Sequence, residues 1–184
     1  MWIKICGITR IEDALAAKHL GADALGFVLT KSPRKVDPAR LRTWIFQLQG
    51  IEKVGVFTHE DPAYIVDIGE ALGLDTVQLH TALTSEHNRV SERFRIIYAM
   101  HGREKIPNIS CRIIIDPSKG SGKRGLWERF DFPFILAGGL TPNNVREAIA
   151  AALPVGVDVS SGVEASPGIK DAALLERFIR EAQT

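Results

Sequence analysis

The chain has 184 residues, of which 45% are hydrophobic, and its 23 basic and 22 acidic side chains give a formal net charge of +1. This length suits one domain with a sizeable core, so we predict a single domain over residues 1–184. The mixed charges argue against nucleic acid or a membrane surface as a partner, and no apolar run is long enough to span a bilayer. The two cysteines, Cys6 and Cys111, are too few for a disulfide scaffold and lack metal-ligand spacing. We therefore expect a cytoplasmic protein.

Eight short apolar runs recur along the chain, and helix signals alternate with them. The runs cover residues 2–6, 24–29, 53–57, 76–80, 95–99, 112–116, 134–137 and 155–159. They are rich in β-branched residues and show little alternation of apolar and polar positions, as is typical of strands buried on both faces. Regular alternation of strand and helix favours right-handed parallel units.

Helix start and stop signals fill the first two intervals. Thr9 and Glu12 match a capping box, which predicts a first helix that ends at Gly21. Asp37, followed by a proline, predicts the start of a second helix that continues through Leu48.

Three further helices carry similar signals. Asp61 precedes a proline and predicts a helix that Gly73 terminates, and Thr141 predicts the opening of a helix over 145–153. Asp171 predicts the start of the last helix, whose apolar residues fall on one stripe.

The pattern is thin in the middle of the chain. Residues 101–107 are too few for a full helix, and residues 119–125 form a glycine-rich loop followed by at most two turns at 127–130. The chain is also shorter than the roughly 250 residues typical of an eight-stranded barrel. We predict an α/β fold, a compact (β/α)8 TIM barrel whose fifth and sixth helices are reduced or absent. The alternative, a doubly wound open sheet, lacks its G-x-G-x-x-G turn, since residues 6–9 read Cys-Gly-Ile-Thr.

Two loops near the end of the chain are suited to an anion. Gly138 and Gly139 follow the seventh run, and Ser160, Ser161 and Gly162 follow the eighth. Glycines let the backbone approach a phosphate closely, and barrels frequently bind phosphate at this location, with a short extra helix for which residues 165–168 leave room. The alternative is that the glycine pair only makes a tight turn. We predict a small phosphorylated ligand.

Cys6 and Asp116 end the first and sixth runs and could face each other across a small substrate. Partial exposure and a nearby helix N-terminus would favour the thiolate of Cys6, whereas Cys111 precedes its strand and is expected to be structural. Apolar walls favour the protonated form of Asp116, which could then donate a proton. A base and an acid on opposite sides of one ligand suit an isomerisation that requires no metal and no cofactor. The alternatives are an inert buried cysteine and a carboxylate that caps a turn.

Other polar residues complete the predicted rim. Arg34, on the loop after the second run, suits a substrate carboxylate, although it could also be a solvated loop arginine. His80 and Asp158 could hydrogen-bond substrate hydroxyls or only order neighbouring loops.

These segments together resemble the phosphoribosylanthranilate isomerase family of tryptophan biosynthesis. The matching segments are residues 4–9, 26–28 with 32–34, 54–57, 78–80, 116 with 120–123, 136–140, 157–164, 167–168 and 170–171. The resemblance implies the same barrel and an Amadori rearrangement of N-(5-phosphoribosyl)anthranilate.

In that reaction the resemblance gives Asp116 the role of general acid and Cys6 the role of general base. It implies that Arg34 holds the anthranilate carboxylate and that the glycine and serine loops hold the phosphate. His80 and Asp158 match polar residues that line the pocket.

Two features depart from the family pattern. Residues 123–134 are compressed, and Thr81 replaces the glycine that usually follows the histidine. We expect them to affect loop closure and turnover more than the type of reaction.

Two alternatives stay open. A related phosphosugar isomerase of histidine biosynthesis, or an enzyme with both activities, shares the fold, but that relative carries aspartate at the position of Cys6. A barrel that has lost catalysis is the other alternative, against which the intact pair of Cys6 and Asp116 argues. The chain is expected to act on a small phosphoribosyl molecule as a monomer or a homodimer.

Overall fold

The computed structural model describes residues 1–101, 106–117 and 127–184. Eight parallel strands follow one another around a closed barrel, in which the eighth strand pairs with the first. The strands are β1 Trp2–Cys6, β2 Ala24–Val28, β3 Glu52–Phe57, β4 Thr76–Leu79, β5 Arg95–Met100, β6 Arg112–Ile115, β7 Ile135–Leu136 and β8 Gly156–Val159. The predicted TIM barrel is confirmed.

The helices are unequal in length. They are α1 Ile11–His19, α2 Pro38–Arg42, α3 Pro62–Leu72, α4 Asn88–Ser91, α5 Val145–Ala152 and α6 Ala172–Gln183. No helix is found among the described residues between β5 and β6 or between β6 and β7, and the predicted glycine-rich loop at 119–125 lies outside the described residues. No helix in the described part of the chain is long and apolar enough to cross a membrane.

Two predicted helix starts are confirmed by their caps. The Asp61 carboxylate accepts a hydrogen bond of 2.7 Å from the Ala63 amide, and α3 ends at Gly73 in the left-handed conformation. The Asp171 carboxylate accepts one of 2.9 Å from the amide of Leu174 at the start of α6.

The predicted capping box at the start of α1 is wrong. Arg10 is the N-cap residue and makes no side-chain cap, while the Thr9 hydroxyl donates instead to the carbonyl oxygen of Gly168. A distant backbone acceptor competes for this hydroxyl, and the local pattern contains no trace of it. Thr9 therefore ties the loop after β1 to the segment that follows β8.

The second helix is shorter than predicted, although Asp37 caps it as expected. α2 ends at Arg42, and residues Ile45–Gln47 form a separate 3-10 turn. The break at Trp44 lets its ring pack edge-on against Phe27, with ring centroids 5.9 Å apart. Tertiary packing thus overrides the helical pattern.

The helix after β7 begins at Val145, where it was predicted, and ends at Ala152, one residue earlier than predicted. Asn144 is its N-cap, and the Asn144 side chain accepts a 2.7 Å hydrogen bond from the Thr141 amide. The same side chain donates to the Gly139 carbonyl oxygen at 3.0 Å. Asn144 therefore fixes the turn that follows Gly139.

The segment after β8 forms a 3-10 turn at Ser161–Val163 and then a two-stranded antiparallel hairpin, β9 Glu164–Ser166 and β10 Ile169–Lys170. The extra helical turn therefore precedes the residues 165–168 that were expected to supply it.

The N-terminal end of the barrel is closed by its own side chains. The Arg112 guanidinium lies 4.8 Å from the centre of the Trp2 ring and donates to the Glu52 carboxylate at 3.1 Å. Above this layer a small apolar cluster fills the interior, including Val54, Ile97 and Ile114. The accessible space of the barrel is therefore at the opposite, C-terminal end, where such folds carry their sites.

Candidate active site

A cavity of about 500 Å³ opens at the C-terminal end of the barrel, where the ends of the strands and their loops meet. Its volume is appropriate for a small-molecule ligand. The predicted site residues that line it are Cys6, Arg34, His80, Asp116, Gly138, Gly139, Asp158, Ser160 and Ser161. Residues more than 150 positions apart thus meet on one surface, as the sequence of strand ends predicts.

Cys6 is the last residue of β1, and its thiol points into the barrel. A Cβ atom at Gly26, the neighbouring residue on β2, would lie 2.8 Å from the Cys6 sulfur and 3.0 Å from Cε of Lys4. The glycine therefore provides the space that both side chains occupy. Lys4 and Cys6 are two residues apart on one strand, so they share its inner face.

The charge state of Cys6 depends on two opposing effects. Burial raises the pKa of the thiol and Asp158 adds to this, while Lys4 and Lys170 act in the opposite direction. The prediction of a partly exposed thiol beside a helix N-terminus is wrong, because Cys6 is only 8% exposed and α1 begins at Ile11. The net effect raises the pKa of Cys6, with burial as the largest cause.

Lys4 and Asp158 form an ion pair inside the barrel, with Nζ 2.8 Å from Oδ1. Lys4 is fully buried and Asp158 is 9% exposed. Burial alone would lower the pKa of Lys4, but Asp158 and Cys6 outweigh it and raise this pKa. We did not predict Lys4 as a site residue, although its position two residues before Cys6 in a buried strand was a usable signal.

Asp116 follows β6 and is 9% exposed at the cavity wall. Its amide donates to the Met100 carbonyl oxygen at 2.8 Å, and its own carbonyl oxygen lies 3.1 Å from Nδ1 of His101. His101 also lines the cavity and is a second residue that the sequence reasoning missed. These two hydrogen bonds restrain the backbone of Asp116 and so define where its side chain leaves the barrel wall.

His80 follows β4 and is held in its neutral form. Burial lowers its pKa to about 4, and the charge of Lys4 contributes in the same direction. Its Nε2 lies 2.8 Å from the Gln78 side-chain nitrogen, which donates to it, so the ring proton is assigned to Nδ1. The His80 and His101 rings lie with centroids 6.2 Å apart.

The two predicted phosphate loops lie next to each other at the cavity wall. Gly138 and Gly139 both have positive φ, 86° and 67°, which side chains with a Cβ rarely adopt. On the other loop, the Ser160 hydroxyl is buried and has no hydrogen-bond partner within the described part of the chain. A buried hydroxyl without a partner is a donor that an anion could satisfy.

Gly162 is the one predicted site residue that does not line the cavity. A Cβ atom there would lie 1.8 Å from the Leu140 carbonyl oxygen. Gly162 therefore permits close contact between the loops after β7 and β8, and so sets the spacing between the glycine pair and the serine pair.

Arg34 lines the cavity, and its guanidinium is already paired. Nε lies 2.9 and 3.0 Å from the two carboxylate oxygens of Glu164, and Nη2 lies 2.8 Å from Oε2. Glu164 also contacts the ammonium group of Lys170 at 2.9 Å. Sequence reasoning missed Glu164 and Lys170, because a pairing 130 residues apart leaves no local signal.

Comparison with known proteins agrees with this geometry. The family model described as N-(5'-phosphoribosyl)anthranilate (PRA) isomerase matches residues 3–181. An N-(5'-phosphoribosyl)anthranilate isomerase of Geobacter sulfurreducens is 42% identical, over 98% of this chain and 98% of its own length.

Solved structures give the same result. The crystal structure of phosphoribosyl anthranilate isomerase from Thermotoga maritima has a TM-score of 0.84 and 37% identity, over 100% of this chain and 98% of that one. A phosphoribosyl anthranilate isomerase in complex with reduced 1-(o-carboxyphenylamino)-1-deoxyribulose 5-phosphate has a TM-score of 0.82 and 35% identity, with the same coverage.

Proposed function

Since the chain belongs to the N-(5'-phosphoribosyl)anthranilate isomerase family, we propose that it converts N-(5-phosphoribosyl)anthranilate into 1-(2-carboxyphenylamino)-1-deoxyribulose 5-phosphate. The observation that carries this proposal is the convergence of Cys6, Asp116 and the two anion loops on one cavity. The reaction is an Amadori rearrangement in tryptophan biosynthesis, and the proposal includes a cytoplasmic location.

Asp116 acts first, as the general acid. Its carboxyl group donates a proton to the ribose ring oxygen, the bond between this oxygen and C1′ breaks, and a Schiff base forms between C1′ and the anthranilate nitrogen. The placement of Asp116 supports this role, since it is almost buried at the cavity wall and its backbone is held on both sides.

Cys6 acts second, as the general base. Its thiolate removes the proton from C2′, the electron pair forms a C1′–C2′ double bond, and the nitrogen becomes neutral. The resulting enol then gains a proton at C1′ and loses its hydroxyl proton to give the ketone. Lys4 and Lys170 lower the pKa of Cys6 against the effect of burial, and the positive Schiff base would add to their effect.

The remaining residues bind the substrate. Gly138, Gly139, Ser160 and Ser161 surround the phosphate, and Arg34 binds the anthranilate carboxylate. His80 and Asp158 also line the cavity. In this proposal they hydrogen-bond the sugar hydroxyls. Gly162 contributes indirectly by bringing the two phosphate loops together.

The proposal is tested with the purified protein, without added metal or nucleotide, by following the loss of anthranilate-type fluorescence as phosphoribosylanthranilate is consumed. We expect turnover well above the spontaneous rate. Asp116→Asn and Cys6→Ala should each lower kcat by roughly 10²-fold or more, the usual scale for acid–base groups. Absence of turnover would favour a non-catalytic barrel, and unchanged rates in the variants would remove these two residues from their roles.

A further inference from the structure

Glu164 is a charged side chain in an almost fully buried position. It begins β9, and its side chain is only 4% exposed. A buried carboxylate is tolerated only when cationic or hydrogen-bond partners compensate for its lost hydration. Burial alone would raise the pKa of Glu164, but hydrogen bonds from Arg34 and Lys170 outweigh it and lower this pKa. Glu164 therefore stays ionised between two cations.

The contact with Arg34 uses only one edge of the guanidinium. Nε and Nη2 face the Glu164 carboxylate, at distances between 2.8 and 3.0 Å. A guanidinium carries five N–H donors, so Nη1 and the second hydrogen of Nη2 form another parallel fork. Nη1 donates to no other residue in the described ranges. Arg34 can therefore bind a second carboxylate while it stays bound to Glu164.

Lys170 fixes the position of Glu164. Lys170 is 5% exposed, and its ammonium group lies 2.9 Å from Oε1 of Glu164, 2.6 Å from the Cys6 carbonyl oxygen and 3.2 Å from the Ser160 carbonyl oxygen. These three contacts use all three ammonium donors. One buried cation thus connects Glu164 to the end of β1, which carries the thiol, and to the end of β8, where the phosphate loop begins.

We propose that Glu164, anchored by Lys170, is a positioning residue that orients the Arg34 guanidinium so that its remaining fork receives the carboxylate of the substrate. This inference rests on the proposed function. It explains how an arginine that is paired in the free protein can still bind a ligand carboxylate. It also links the three binding elements, because the carboxylate site is set relative to both Cys6 and Ser160.

Glu164→Gln is the principal test. The amide has nearly the same shape, but its nitrogen cannot accept a hydrogen bond and opposes the donors of Arg34 and Lys170. We expect KM for phosphoribosylanthranilate to rise about 10- to 100-fold, the scale of one or two hydrogen bonds to a charged group, with kcat changed less than about threefold. Ser166→Ala, an exposed position on the same hairpin, is the control and should leave both constants unchanged.

A double-mutant cycle separates positioning from a general loss of structure. If Glu164 acts through Arg34, the double variant Arg34→Gln with Glu164→Gln should be no worse than Arg34→Gln alone. Calorimetry with the reduced product and with its analogue lacking the aromatic carboxylate gives a second readout. Glu164→Gln should weaken binding of the first and leave binding of the second unchanged. Additive effects on KM, or equal losses for both ligands, would overturn the inference.

Glu164→Asp keeps the charge but shortens the reach, so its KM should fall between those of the wild type and Glu164→Gln. If Glu164→Gln proves unstable, Glu164→Asp still tests the inference, because it keeps a negative charge beside Arg34 and Lys170. An active wild type with additive Glu164 and Arg34 effects refutes only the positioning role. A wild-type protein that neither turns over phosphoribosylanthranilate nor binds the reduced product refutes both this inference and the proposed function.

Discussion

The buried ion pair between Lys4 and Asp158 makes the stability of the barrel sensitive to a single substitution. Lys4→Met keeps the volume of the side chain but leaves Asp158 as an uncompensated charge that is 9% exposed. Breaking a buried pair in this way costs about 3–5 kcal/mol. That is a large share of the total free energy of unfolding of a typical domain, about 5–15 kcal/mol.

The companion variant identifies the cause of the loss. In Lys4→Met with Asp158→Asn no charge remains, so we expect the double variant to recover a substantial part of the stability lost by Lys4→Met alone. Urea unfolding followed by circular dichroism gives the free energy of unfolding for each protein. Arg93→Met is the control, because Arg93 is 64% exposed in its ion pair with Glu70 and should cost little. A single variant as stable as the wild type, or a double variant no more stable than Lys4→Met, would refute this interpretation.

The ion pair between Lys4 and Asp158 also affects the pKa of Cys6, the proposed general base. Lys4 lowers the pKa of Cys6 and Asp158 raises it, so the ascending limb of kcat/KM against pH should move to higher pH in Lys4→Met. It should move to lower pH in Asp158→Asn. Shifts in the same direction would contradict the electrostatic account of Cys6.

Further predictions concern other parts of the site. Because the pKa of His80 is lowered to about 4, the imidazole signals should titrate near that pH by NMR, and a midpoint near 6.5 would contradict this. The contribution of His80 to the free energy of unfolding should grow as pH rises from 4 towards 6.5. Because the pKa of Glu164 is lowered, its ion pairs stabilise the protein above its ordinary pKa of 4.5, and this stabilisation is lost as pH falls below that value. In Glu164→Gln the free energy of unfolding should therefore depend less steeply on pH in the acid range. An unchanged slope would count against the buried ion network. Gly162→Ala should destabilise the protein by about 1–3 kcal/mol and raise KM, since its Cβ would meet the Leu140 carbonyl; a thermal melt equal to that of the wild type would disprove the close contact.

Much of the fold can be predicted from the sequence because its signals are local. β-branched runs mark the strands, and Asp61 and Asp171 mark helix starts with their own side chains. Where two partners compete, the local signal fails. Thr9 donates to Gly168 rather than capping its own helix. Asn144 rather than Thr141 occupies the N-cap position of α5, and its side chain bonds the preceding turn instead of the helix.

In the candidate site, too, some features could be predicted from the sequence and others could not. Strand order places Cys6 and Asp116 on one rim, since the C-terminal ends of parallel strands share one face of a barrel. The partners of the buried charges could not be predicted in this way. The pairings of Lys4 with Asp158 and of Arg34 with Glu164 join residues 154 and 130 positions apart, and only the three-dimensional register brings them together.

A crystal structure of the protein with reduced 1-(o-carboxyphenylamino)-1-deoxyribulose 5-phosphate would test the arrangement of the site most directly. We expect the phosphate between the Gly138-Gly139 and Ser160-Ser161 loops, with the thiol of Cys6 and the carboxyl group of Asp116 on opposite sides of the sugar and within hydrogen-bond reach of it. A phosphate bound elsewhere on the barrel, or a sugar that either group cannot reach, would contradict the proposed acid–base pair.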